Sequence, residues 1–298
     1  MKVDLTAINP GVGAASYWEP SERILSAWRE HAPFGSWLIS ALQPSCIVEL
    51  GTHSGYSFFV FAEAVKRLGL DTRLYAIDTW EGDDQAGFYS EDIFRSVSTL
   101  AKRDYAGYTE LIRTYFSEAV SRFADGTVDL LHIDGRHGYD DVREDFEMYR
   151  PKLSSGSVVL FHNTQEFQEG FGVHRFWSEL ALSRPSFEFH HGHGLGVLLY
   201  GDDVPAPVSQ FFAACATDSQ SLRNTYERLG GNLTHRAEED ERREWLEREV
   251  QRLEGAVAIA VDERLSAQRD LALVRDSASW RVTSPIRAIT GLVPRRPK

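Results

Sequence analysis

Between Cys46 and Tyr200 the chain alternates short β-branched runs with longer amphipathic ones. CIVELG is followed by YSFFVFAEAVKRLG, RLYAID by EDIFRSVSTLAKR, YTELIRT by SEAVSRFA, VDLLHID by YDDVREDFEMYRPKL, and SVVLFHN by VHRFWSELAL. Strands that alternate with helices predict a parallel sheet covered on both faces, hence an α/β, Rossmann-like architecture. The period then changes. SFEFHHG and LGVLLYG are strand candidates joined by a Gly-rich turn, with no room for a crossover helix, so one closing strand must run antiparallel.

On either side of this block the pattern is helical. SERILSAWRE and FGSWLISALQ read as two helical pieces, the first capped by Ser21 and the two separated by Pro33. After VPAPVSQ, a linker candidate, FFAACATDSQSLRNTYERLG reads as a helix that GGNLTHR breaks. Residues 237–276 are dense in Glu and Arg, with Leu246, Leu253 and Ala260 at seven-residue spacing. They fit a short coiled coil interrupted at Gly255, or a solvated charged helix. The expected organisation is an N-terminal helical cap (1–45), an α/β domain (46–203), a helical extension (204–276) and a basic tail (277–298).

Composition narrows the field. The 298-residue chain is 42% apolar and carries a net charge of −12, which argues against a binder that works by neutralising phosphates. Cys46 and Cys215 are far apart and read as reduced thiols. MKVDLTAINPGVG lacks the apolar core of a signal peptide, and no run approaches the ~20 apolar residues of a membrane helix, so a cytoplasmic location is expected. The tail, with Arg281, Arg287, Arg295, Arg296 and Lys298, would suit a partner or the anionic inner membrane surface.

Open α/β sheets bind ligands beyond the carboxyl ends of their strands, and the first such stretch is VELGTHSGYS. It lacks the Gly-Lys-Ser/Thr of a phosphate loop and the G-x-G-x-x-G of a nicotinamide site. S-adenosylmethionine asks for other things: a partner for its ammonium, one for its carboxylate and one for its ribose diol. Glu49 could attract the ammonium, Gly51 could admit the ligand close to the backbone, and the helix start near Gly55 would favour the carboxylate. Asp78 ends the second strand at the interval expected of an acid that binds ribose hydroxyls, and Phe116 and Ser117 are placed to meet adenine.

VELGTHSGYS, AIDTWEGD, LLHIDGRHGYDDVREDFEMYRPKLSSGSVVLFHNT and GHGLGVLLY together resemble the class I S-adenosylmethionine-dependent methyltransferases. The similarity is strongest to the branch of macrocin-type sugar O-methyltransferases and cephalosporin-hydroxylase-like proteins, and it covers roughly residues 35–201. It implies the seven-stranded class I sheet with its terminal antiparallel hairpin. It also implies cofactor contacts from Glu49, Gly51, Thr52, His53, Ser54, Tyr56, Ser57, Asp78, Phe116 and Ser117. Metal-dependent relatives hold Mg²⁺ with an acid after the fourth strand and an acidic or Asn pair after the fifth. Carried over, that makes Asp134 and Asn163 ligands for Mg²⁺ or Mn²⁺ and His137 the general base.

His162 departs from the pattern, since an acid is commoner there. It is a further candidate ligand, or a residue that merely lines the site. Trp80, in the loop TWEGDDQAGFYSED, could close over a sugar, and His191 and His193 in HHGHG could meet the acceptor. The ending SASWRVTSPIR resembles that of bacterial enzymes of surface-polysaccharide assembly.

These resemblances imply a metal-assisted O-methyltransferase acting on a sugar hydroxyl. The C-terminal helix would self-associate or meet a glycosyltransferase. A scaffold that has lost turnover, and a metal-independent enzyme with His137 as sole base, are the alternatives.

Overall fold

The computed structural model describes residues 10–83 and 87–290. The far N-terminus, the middle of the loop after Asp78 and the residues Arg295, Arg296 and Lys298 lie outside these. The contact pattern divides the chain into two units, Met1–Ala237 and Glu238–Lys298.

In the first unit the alternating runs become β1 (Cys46–Leu50), α1 (Ala32–Leu42), α2 (Tyr56–Leu68), β2 (Arg73–Asp78) and a two-residue pair, β3 (Gly82–Asp83) with β4 (Gly87–Phe88). There follow α3 (Glu91–Asp104), β5 (Thr109–Arg113), α4 (Phe116–Ala119), β6 (Val128–Ile133) and α5 (Tyr139–Tyr149). The unit then runs through β7 (Leu153–His162), α6 (Val173–Leu180), β8 (Ser186–Phe189), β9 (Leu195–Leu199) and the first part of α7 (Ala206–Asp276).

Seven strands form one sheet in the order β5-β2-β1-β6-β7-β9-β8. β9 runs antiparallel to both β7 and β8, which is the expected closing hairpin. Strands buried on both faces explain the near-continuous apolar runs. Ile47, Leu74, Leu130 and Leu160 point into a layer built from α1, α2 and the segment after residue 206. Val48, Leu50, Leu131, Ile133 and Phe161 point into the opposite layer with α5 and α6.

Outside the sheet the helices differ from expectation at three places. Ser21 caps no helix; its N–H and hydroxyl both donate to the Glu63 carboxylate, at 2.8 and 2.7 Å. The helical turn starts instead at Ala27, where the Ser26 hydroxyl accepts the Trp28 N–H, and Pro33 sits in the first turn of α1, where its missing N–H costs nothing. Gly230-Gly231 does not break α7. A Cβ on Gly230 would stand 2.2 Å from the Glu30 carbonyl oxygen, so the glycine permits close packing, and the backbone is interrupted at Asp218 instead.

The segment after residue 206 belongs to the core: Phe211, Phe212, Leu222 and Tyr226 are buried, and the Tyr226 hydroxyl donates to the Gly11 carbonyl. Cys46 and Cys215 are free thiols, pushed up to about 12 by burial. In the second unit helix continues through Gly255 to Asp276, then α8 (Ala278–Val282) and α9 (Ser284–Thr290), with Leu246, Val250, Leu253 and Val257 about half exposed. Among the described residues no helix is long and apolar enough to cross a membrane.

Candidate active site

The carboxyl ends of β2, β1, β6 and β7 open into one cavity of about 1000 Å³. It gathers the loop after β1 (Gly51, Thr52, His53, Ser54, Tyr56, Ser57) with Asp78, Phe116, Ser117, Asp134, His137, His162 and Asn163. Thirteen of the seventeen residues singled out from the sequence therefore share one wall.

The loop after β1 is held from two directions. Gly51 has φ +86°, and a Cβ there would stand 2.1 Å from the carbonyl oxygen of Asp134. The glycine thus lets this loop lie against the loop after β6, joining the cofactor end to the reacting end. Asp78 accepts the His53 N–H on Oδ2 (2.8 Å) and the Trp80 N–H on Oδ1 (2.7 Å), so its carboxylate is fixed in orientation while facing the cavity. His53 adopts φ +47° and lies tilted against Tyr89, ring centroids 4.5 Å apart. The Thr52 hydroxyl is buried and meets no described protein partner. With the orphan N–H groups that begin α2, it offers donors to a carboxylate. These features fit the methionine and ribose portions of S-adenosylmethionine.

Glu49 does not. Its side chain is fully buried and takes the Nδ1–H of equally buried His132 at 2.8 Å, away from the cavity. Strand alternation is the cause: Glu49 precedes the strand's last residue and points into the layer of Ile47 and Leu130, so it cannot meet the cofactor's ammonium.

At the other end, Asp134 receives two histidines. His162 Nδ1–H donates to Asp134 Oδ1 at 3.1 Å, and His137 Nε2 lies 3.9 Å from the same oxygen. Burial alone would raise the Asp134 carboxyl. The nearby His162 ring, with its hydrogen bond, and the His137 and His132 rings overcome that and hold it well below the usual carboxylate range. His137 stacks on Phe171, rings 4.7 Å apart and 12° from parallel, which fixes its plane at the cavity wall.

The other ring nitrogen of His162 donates to the Gly192 carbonyl at 3.1 Å, beside a second donor, His31 Nε2, at 3.0 Å. Both ring nitrogens of His162 thus lie within hydrogen-bond distance of protein oxygens, so ligating a metal would require the ring to give up one of these contacts, and in this arrangement it orients Asp134. Among the described residues no three His, Cys, Asp or Glu side chains converge as a metal site would need. One carboxylate and the amide of Asn163 remain, so the residues present do not make the expected three-donor centre.

Three acceptor candidates also fall elsewhere. Trp80 is buried, its indole N–H bonded to the His53 carbonyl at 2.8 Å and its ring tilted on Phe94, so it braces the loop instead of closing over a ligand. His191 lies tilted against His31 at 4.9 Å, behind the cavity wall. His193 pairs with Glu166. The cavity is also lined by Leu25–Ala27, Tyr89, Tyr115, Met148 and the acids Asp141, Glu144 and Asp145, none of them named above as a site residue. A seven-residue gap between Tyr139 and Phe146, both apolar and inward, marks Asp145 and Met148 as neighbours of the buried face; that was the available signal.

Residues 48–164 match a family described as a methyltransferase domain. Protein y4gI of Sinorhizobium fredii (strain NBRC 101917 / NGR234) is 45% identical over 219 residues, 74% of this chain. The chain spans only 23% of that relative's length. The O-methyltransferase TomG from Streptomyces achromogenes, solved in complex with SAM, is 22% identical, covering 61% of this chain and 83% of its own at a TM-score of 0.45. SAH-bound methyltransferase PaMTH1 of Podospora anserina is 14% identical, covering 66% and 92%, at 0.46.

Proposed function

We propose that this chain, whose residues 48–164 form a methyltransferase domain, is an S-adenosylmethionine-dependent O-methyltransferase acting on a sugar hydroxyl, with His137 as its general base. The observation that carries the reading is the single cavity in which the Gly51–Ser57 loop, Asp78 and Phe116 face Asp134 and His137.

The bound cofactor supplies a methyl group on a positively charged sulfur. This chain's residues do the rest. Thr52 and the start of α2 hold the amino-acid carboxylate, and Asp78 holds the ribose diol. His137 takes the proton of the acceptor hydroxyl as the new C–O bond forms and the S–CH₃ bond breaks, leaving a neutral thioether. Asp134 lies close enough to stabilise the imidazolium that results, and His162 keeps its carboxylate aimed. The sugar class rests on the resemblance of the Ser277–Arg287 stretch to proteins of surface-polysaccharide assembly.

His162's engagement favours a reaction without metal assistance. Calorimetry with S-adenosylhomocysteine, followed by turnover assays with and without EDTA, tests the proposal. Binding and EDTA-resistant turnover are expected, with His137→Ala lowering kcat by about 10²–10⁴-fold and leaving cofactor affinity within twofold. Absence of binding with or without Mg²⁺ or Mn²⁺ would overturn the enzyme reading. Turnover lost in EDTA and restored by either ion would overturn the metal-independent part alone.

A further inference from the structure

Asp145 lines the cavity yet has no part in the chemistry above. It stands on α5, one turn before Met148 and Tyr149, and its carboxyl accepts no hydrogen bond from any described residue. Its position is fixed by neighbours. A Cβ at Gly135 would lie 2.7 Å from the Phe116 ring and 3.3 Å from Asp145 Oδ2, so ring and carboxyl flank the same glycine. The Tyr149 hydroxyl donates to the Phe116 carbonyl at 3.0 Å, tying α5 to the turn that carries the ring. Phe116, Gly135, Met148 and Asp145 thus line one mostly apolar part of the cavity wall that carries one unpartnered carboxyl.

A purine needs two apolar faces and a polar partner at its edge. We propose, resting on the S-adenosylmethionine reading, that Asp145 is the residue that recognises the adenine edge, its carboxyl accepting a hydrogen bond from the exocyclic amine. Burial, with the charges of Asp141 and Glu144 added, pushes this carboxyl up to about 7. A protonated carboxyl can at the same time donate to the adjacent ring nitrogen, so both edge groups are satisfied by one side chain. Around it stand Asp141, Glu144 and Tyr149 on α5 and Arg136 on the preceding loop, where Arg136 Nε lies 3.6 Å from Asp141 Oδ1.

The test pairs a protein change with a ligand change. Wild type, Asp145→Leu and Asp145→Asn are titrated calorimetrically with S-adenosylhomocysteine and with its analogue in which purine riboside, lacking the exocyclic amine, replaces adenosine. Wild type is expected to bind the analogue about tenfold more weakly, the size of one hydrogen bond. Asp145→Leu is expected to bind S-adenosylhomocysteine about tenfold more weakly and the analogue within threefold of wild type. Asp145→Asn, whose amide keeps both an acceptor and a donor, is expected to retain the wild-type preference. Equal weakening of both ligands by Asp145→Leu would mean a packing role and overturn the proposal, as would no weakening of either. Failure of wild type to bind S-adenosylhomocysteine at all is a separate result that removes the cofactor reading and this assignment with it.

Discussion

The buried Glu49–His132 pair gives a sharp contrast between two roles for one acid. Both side chains are wholly inaccessible, and the His132 ring is edged by Trp28 and Phe61 at centroid distances of 5.6 and 5.9 Å. Replacing Glu49 by Leu leaves the His132 Nδ1–H facing apolar carbon. Stranding a buried donor costs about 1–3 kcal/mol, and about 3–5 kcal/mol if the ring is left charged. In a unit of this size that is a fall in Tm of roughly 2–12 °C with the ring neutral and roughly 6–20 °C with it charged.

Glu49→Gln keeps an acceptor for Nδ1–H and should cost about 1 kcal/mol. The double change Glu49→Leu with His132→Leu removes both polar partners and should recover most of the loss. Thermal unfolding of the four proteins, beside calorimetry with S-adenosylhomocysteine, completes the comparison. Cofactor affinity should stay within about twofold in Glu49→Gln, because the side chain does not reach the cavity. A tenfold drop in affinity with Tm unchanged would refute this reasoning and return Glu49 to the cofactor's ammonium.

Other expectations follow from single positions. Gly51→Ala must place a Cβ 2.1 Å from the Asp134 carbonyl at φ +86°, so calorimetry should show S-adenosylhomocysteine bound at least tenfold more weakly; unchanged affinity would mean that the two loops move independently. Because the Asp145 carboxyl is raised from 3.8 to about 7, the folded apo protein holds its proton more tightly than the unfolded chain. The resulting stability is complete below about pH 4 and is lost as pH rises to about 7, by at most about 4 kcal/mol before allowance for hydration of the cavity. Asp145→Asn should therefore match wild type in Tm at pH 4 and exceed it by several degrees at pH 8; a difference independent of pH would contradict this. The stripe Leu246, Val250, Leu253 and Val257 is half exposed at heptad spacing, so Leu253→Glu should shift sedimentation of the full chain toward monomer if the helices pair, and an unchanged profile would dismiss self-association through this face.

Much of the fold was legible because strands covered on both faces must be continuously apolar, and because a turn too short for a helix forces an antiparallel strand. Which residues line the cavity was legible where they stand beyond a strand's end, as Asp134, His137 and Asn163 do. It was illegible where a residue stands one position earlier. Glu49 aligns with His132 across β1 and β6, so VELG and HIDG bring the two side chains together inside the layer; strand register decides this, and motif matching is blind to it. Trp80 was misplaced for another reason: its indole N–H found a backbone carbonyl on a neighbouring loop, a partner that no local pattern announces. Gly230 shows the same limit, since what looked like a helix breaker serves close packing against a segment 200 residues away in the chain.

His162 is the point where sequence resemblance and structure part most usefully. An acid there would share a cation with Asp134, and the cation would balance the two negative charges. A histidine in the same place reaches Asp134 directly through Nδ1, while the Gly192 carbonyl fixes the far side of the ring. Histidine therefore need not be a damaged metal ligand. The same substitution that removes an oxygen donor leaves Asp134 oriented by a contact within the protein itself. Under the proposed metal-independent reading the base stands beside that aspartate, where His137 is stacked on Phe171 and lies 3.9 Å from Asp134 Oδ1.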